Sequence, residues 1–253
     1  MKRPVEGHAE RLNAQSATGS ARPLGISVLG RFELVDGRGA AIAVANGTQR
    51  LLSLLALRDR VVHRASVAGV LWPDVSESHA HASLRSALLR IPGAARSVVS
   101  VSDAELSLAD GVDVDVRDAQ ALAQRLLDDT APASEDDVSR VALAQLSSDL
   151  LPGWDDEWVT PEAEGWRQLR LHALEALTDR LAERARFGDA TTAAMAAIRA
   201  EPLRESAHAA LIRVHLAESN QSEALRQFER YQDLLRSELG IEPTSRLREL
   251  VGI

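Results

Sequence analysis

The hydrophobic period of this chain changes three times, and that constrains its fold more than any single motif does. From Leu24, the run LGISVLGRFELVDGRGAAIAV places Ile26, Val28, Phe32, Leu34, Ile42 and Val44 at strand spacing around an Asp36-Gly37 turn signal, which predicts a short antiparallel sheet. Three helical segments follow, each closed by a breaker. The first spans Thr48 to Arg58, after Asn46-Gly47, with Leu51, Leu54, Leu55 and Arg58 on one stripe. The second, Arg64 to Trp72, buries Val67, Val70 and Leu71 and is stopped by Pro73. The third, about Ser76 to Ile91, sets Ala80, Leu84, Ala87, Leu88 and Ile91 on one face and stops at Pro92-Gly93, with Asp74 and Glu77 placed to cap its start. Period two then returns in Val98, Val99 and Val101, a polar Ser102-Asp103-Ala104 turn, Leu106 and Leu108, and an exit strand through Val112, Val114 and Val116.

A hairpin after three helices is a wing. Sheet, helices and wing together predict an α+β winged helix-turn-helix over residues 24–116, a unit that lays one helix in the major groove of DNA and its hairpin on the neighbouring backbone. From Asp118 onward the pattern is helical throughout, with breaks at Ala131-Pro132, Leu151-Pro152-Gly153, Phe187-Gly188-Asp189, Glu201-Pro202 and Gly240, room for about six helices. Asp189-Ala190 corresponds to Glu223-Ala224, and Leu177 to Leu211, 34 positions later in each case. That is the period of tetratricopeptide helix pairs, so residues 117–253 are expected to form an all-α, tetratricopeptide-like domain and the protein as a whole to be mainly α. Residues 1–23 are polar and aperiodic, and a mobile tail is expected there.

Net charge is −8, which argues on its face against a nucleic-acid partner, but the sum hides a division. Residues 1 to 100 carry 13 basic and 7 acidic side chains, whereas residues 101 to 253 carry 16 and 30. The first part is therefore basic and suited to phosphate, and the second acidic. No apolar run reaches the length of a membrane span and the first residues lack a secretory signal, so a cytoplasmic protein without membrane contact is expected. The absence of cysteine removes disulfides, thiolate metal sites and cysteine nucleophiles.

Several stretches resemble the Streptomyces antibiotic regulatory protein (SARP) family. VLGRFELVDGRG matches its opening sheet, TQRLLSLLAL its first helix, VVHRASVAGVLWPD its second and SLRSALLRI its recognition helix, while LSLADGVDVDV fits the wing and exit strand. LLPGWDDEWV and the run ERARFGDATTAAMAAIRAEPLRESAHAALIRVHLAESNQSEALRQFERYQDLLRSELGIEPTSRL resemble the family's bacterial transcriptional activator domain. The resemblance implies an OmpR-like winged helix joined to that domain, acting as a cytoplasmic, nucleoid-associated transcription regulator. It implies binding to direct repeats in double-stranded DNA, as a self-associated pair, and help to RNA polymerase holoenzyme at the promoter. Two positions depart from the pattern: Pro92-Gly93 ends the recognition helix where further arginines are common, and His63 stands where a capping Ser is common.

With its apolar stripe turned inward, the third helix presents His79, Ala82, Ser86 and Leu89 outermost, flanked by Ser78, Arg85 and Arg90. Arg85 suits guanine O6 and N7, Ser86 a base or phosphate, and Leu89 a thymine methyl. Arg50 and Arg64, at the starts of the first and second helices, are placed for phosphate. The wing turn Ser102-Asp103-Ala104-Glu105 is acidic and a poor groove probe. A shortened helix and an acidic wing motivate an alternative, a tetratricopeptide-like scaffold that binds proteins and has weak or lost DNA binding.

Chemistry of other kinds is not indicated. His79 and His81 diverge on a helix, so neither a metal nor a cofactor site is expected there, and His208 and His215 suit packing or surface positions. Trp154 and Trp158, four apart, predict a shared buried helix face with Asp155, Asp156 and Glu157 pointing outward. The sequence holds no Gly-x-Ser-x-Gly, no phosphate-cradling glycine loop, no His-Glu-x-x-His, and its one lysine is Lys2; no enzyme is expected.

Overall fold

The computed structural model describes residues 23–128, 130 and 132–252, so the tail expected over 1–23 lies outside the described residues except for Pro23. Strand β1 (Gly25–Ser27) pairs antiparallel with β2 (Glu33–Val35), in the register Ile26 to Leu34, and both of those side chains are buried. The Asp36 carboxylate accepts from the amides of Arg38 and Ala40 at 2.8 and 2.9 Å, which holds its pKa below the usual value, and Gly39 supplies the positive φ. The strand expected through Ile42 and Val44 reduces to a bridge of Val35 with Ala41, because the chain turns at once into α1 (Asn46–Arg58), which starts two residues before the expected Thr48.

After α1 come β3 (Val62–His63), α2 (Arg64–Leu71) and α3 (Glu77–Leu89). A short 3-10 helix over Gly93–Val98 leads into β4 (Val99–Val101) and β5 (Glu105–Leu108), and β3, β5 and β4 form the antiparallel wing sheet in that order. The exit strand is shorter than expected: β6 is Asp113–Val114, parallel to β1, and Val116 belongs to α4 (Asp115–Leu127). Asp115 sets this start. Its carboxylate accepts from Val28 N at 2.9 Å and Leu29 N at 3.1 Å, so the chain winds into helix one residue after pairing with β1. Burial pushes the Asp115 carboxyl up, against the pull of those amides.

The rest is helical: α5 (Arg140–Leu146), α6 (Val159–Glu183), α7 (Phe187–Ala200), α8 (Glu205–Ala217), α9 (Gln221–Leu239) and α10 (Ser245–Leu250), seven helices with α4 among the described residues. Pairs α6–α7 and α8–α9 are the units of the 34-residue correspondence, and Leu177, Leu211, Ala190 and Ala224 are all buried in it. The break expected at Phe187-Gly188-Asp189 falls earlier, since Gly188 is helical and the left-handed residue is Ala185, at φ 56°. Its counterpart 34 residues on, Ser219, has φ 64°. The amides of Arg186 and Asn220 close the same bond to Leu181 and His215, at 3.0 and 2.7 Å. Backbone geometry thus repeats where residue type does not.

The two halves share one core. Val28, Gly30, Asp149 and Leu151 extend the first sheet across the join, with Leu151 N on Val28 O at 2.8 Å and Gly30 N on Asp149 O at 2.7 Å. A continuous cluster of buried apolar side chains runs from Ile26 to Val214, while Phe228, Tyr231, Leu235 and Leu247 close a small second cluster with Ile212 and Ala224. The division expected between residues 116 and 117 lies in the first turn of α4. Among the described residues no helix is long and apolar enough to cross a membrane.

His208 lies in this packing, buried and stacked on Tyr231 with ring centroids 4.1 Å apart. Its Nε2 donates to Pro202 O at 2.8 Å and its Nδ1 accepts from Gln227 at 2.8 Å, an arrangement that needs the neutral ring. Burial holds its pKa below 6.5. The unfolded chain therefore takes up a proton that the folded one resists, so stability is full above pH 6.5 and falls as pH drops below it. Denaturation of wild type and His208→Gln across this range is expected to show that slope in wild type only. Leu126→Ala, which empties a fully buried position, is expected to cost about 2–5 kcal/mol and to lower one shared unfolding transition, seen by calorimetry, instead of splitting it.

Candidate nucleic-acid interface

Helix α3 forms because one face has a core to meet. Ala80, Leu84 and Ala87 are buried, and Ile91 is buried just past the helix end. The helix is shorter at both ends than expected. At its start, Ser76 and not Asp74 is the capping position, with Ser76 Oγ held by His79 Nδ1 at 2.8 Å and Ser78 Oγ at 3.1 Å. At its other end Pro92 has no amide to donate, and the chain leaves as the 3-10 turn.

The structure brings the six site residues predicted on α3 to one solvent face. Ser78, His79, Arg85, Ser86, Leu89 and Arg90 are all exposed, and Leu89 keeps 73% of its surface. Arg85 and Arg90 have no acidic partner among the described residues, so their charge is available to an incoming anion. A large apolar side chain this exposed, between two unpaired arginines, lacks any internal packing role.

One cation escaped the sequence reading. The 3-10 turn after Pro92 folds back so that Arg96 donates to Leu89 O at 3.4 Å. It supplies positive charge at the C-terminal end of α3, where the orphan carbonyls favour it. The signal available in the sequence was the GAARSV run after Pro92, which reads as loop unless its turn geometry is known.

Helix α3 is aligned against α1 by a buried hydrogen bond, Thr48 Oγ1 to Ala87 O at 2.9 Å. Beside it an open cleft of about 370 Å³ separates the start of α1 from α3, lined by Gly47, Thr48, Trp72, His79, Ser86 and Arg90. The remaining two predicted residues lie apart from this face. Arg64 is tied to the wing, its backbone amide on Ala104 O at 2.8 Å and its guanidinium on Ser102 O at 3.3 Å. Arg50 forms an ion pair with Asp156, and both side chains are largely buried.

That pair corrects the expectation for Asp155, Asp156 and Glu157. They lie in a turn before α6, not on a helix; Asp155 and Glu157 are exposed, whereas Asp156 faces α1. Trp154 and Trp158 do meet, edge to face at 6.4 Å, with Trp154 also against Phe32 of the first half. Further ties cross the joint: Arg58 to Glu162 at 3.1 Å, and Arg117 to Asp59 at 2.9 Å and to Ala56 O. Both ends of α1 are thus fastened to the second half.

A family model described as the bacterial transcriptional activator domain matches residues 112–252. No curated protein matches the sequence. Among solved structures, Mycobacterium tuberculosis EmbR in complex with a low-affinity phosphopeptide is similar, with a TM-score of 0.71 and 22% identity over 90% of this chain. The chain spans 64% of the length of that structure's chain, and the likeness is one of fold. Thr48→Val, which leaves Ala87 O buried and unpaired, is expected to cost about 1–3 kcal/mol in chemical denaturation and to perturb the resonances of α3 more than those of α9.

Proposed function

Because the chain belongs to the SARP-type family of transcription regulators that carry the bacterial transcriptional activator domain, we propose that it acts by binding double-stranded DNA through α3. The observation that carries this reading is the exposed face of α3, where Arg85, Ser86, Leu89 and Arg90 present a fork of donors, a hydroxyl and an apolar tip without internal partners. That combination matches the edges of a major groove: guanidinium to guanine, hydroxyl to base or phosphate, isobutyl group to thymine methyl. Arg96 and the basic first half supply the general attraction to phosphate. Arg64 steadies the wing turn, and its contact with phosphate is through a side chain already held at one end.

In this reading the protein works in the cytoplasm on the nucleoid, two copies occupy direct repeats near a promoter, and the helical half contacts RNA polymerase holoenzyme. The acidic wing turn and the commitment of Arg50 to Asp156 favour a second reading, a helical scaffold for a protein partner with little DNA affinity. Gel shifts of the full chain on DNA from upstream of neighbouring operons separate the two. Binding that falls steeply with salt, and an Arg85→Ala loss of roughly 1–3 kcal/mol concentrated at one base position, are expected for the first. No binding at low salt, with a stoichiometric protein partner recovered, establishes the second.

A further inference from the structure

Arg50 and Asp156 meet across the joint, α1 supplying the guanidinium and the turn ahead of α6 the carboxylate. Their side chains keep 22% and 19% of their exposure, and Arg50 Nε is enclosed with no acceptor. A cation so confined needs an anion beside it, because removing the partner leaves an uncompensated charge. An open cleft of about 470 Å³ adjoins the pair, lined by Asn46, Arg50, Trp154, Asp155 and Asp156, on one flank of the first turns of α1. The other flank, Gly47 and Thr48, faces His79, Ser86 and Arg90 across the cleft beside α3. The start of α1 therefore stands between the exposed face of α3 and the acidic turn.

Resting on the DNA-binding reading above, we propose that Asp156 is an internal substitute for a DNA phosphate. A duplex docked on α3 brings a phosphodiester to the start of α1, Arg50 exchanges Asp156 for it, and the turn carrying Asp156 is released. The exchange replaces one oxyanion by another at a guanidinium whose planar fork suits both. Asp155, exposed in the same turn, is repelled by the arriving phosphate and drives the release. Arg58 keeps Glu162 at the far end of α1, so the joint opens at one end only. Occupancy of DNA is thereby transmitted to the helical half as freedom of the turn from Gly153 to Glu157.

The test uses the full chain and a mixed-sequence duplex over a range of salt. Asp156→Asn removes the competing charge and keeps the shape; it is expected to tighten binding by about 3- to 10-fold. Arg50→Ala is expected to weaken binding and to reduce the slope of log K against log salt by about 0.9. Amide exchange at residues 153–157 of the wild-type chain is expected to quicken when duplex is added. Should Asp156→Asn melt early, the charge-exchanged variant R50D/D156R rebuilds the pair without a cation on α1, and is expected to fold and to bind as weakly as Arg50→Ala. Wild-type affinity and slope in the folded variants, or unchanged or slowed exchange at 153–157, overturn the proposal while leaving DNA binding intact. A wild-type chain that does not bind the duplex removes DNA binding and this inference together.

Discussion

Everything in this molecule hangs on a short length of main chain, Val28 to Gly30. On one side its carbonyl and amide pair with Leu151 and Asp149. On the other, the amides of Val28 and Leu29 are claimed by the Asp115 carboxylate. Two segments far away in sequence are thus fastened to three consecutive residues. Because backbone groups buried at such a point need partners, the second half cannot move off the first without breaking hydrogen bonds and opening core. The winged helix and the helical array are separate patterns in sequence and one body in packing.

This joint explains the geometry of α1 and α3. Helix α1 is fastened by Arg50 and Arg58 to the second half and carries Thr48, whose hydroxyl holds Ala87 of α3. The position of the exposed α3 face is therefore set through α1 by residues beyond 149. The ion pairs involved are partly buried, so each contributes more to where α1 sits than to net stability.

Much of the architecture was legible because period is a local property. The strand pairing of Ile26 with Leu34, the three helices, the hairpin and the 34-residue correspondence all follow from the spacing of apolar residues. What escaped depended on contacts between distant segments. Val116 alternates like a strand residue and becomes helical because Asp115 finds the amides of Val28 and Leu29. Gly188 looks like the helix stop, yet the neighbouring turn tolerates a left-handed Ala185 and the glycine stays in the helix. On the candidate face, the outward side chains of α3 follow from helical geometry, whereas Arg50 and Arg64 were placed by their position at helix starts and Arg96 was passed over. Their destinations are set by Asp156, Ser102 and the carbonyl of Leu89, which no local window contains.

Under the proposed DNA-binding reading, the stop at Pro92 limits how much information one copy can hold. With 13 residues at about 1.5 Å of rise, α3 is roughly 20 Å long. A turn of B-DNA is about 34–36 Å, so a helix of this size lies along little more than half a turn. A genome offers on the order of 10⁶–10⁹ competing sites, far more than so short a word can single out. Under that reading, with copies side by side on DNA, the address lies in the spacing between copies as much as in the bases under each one.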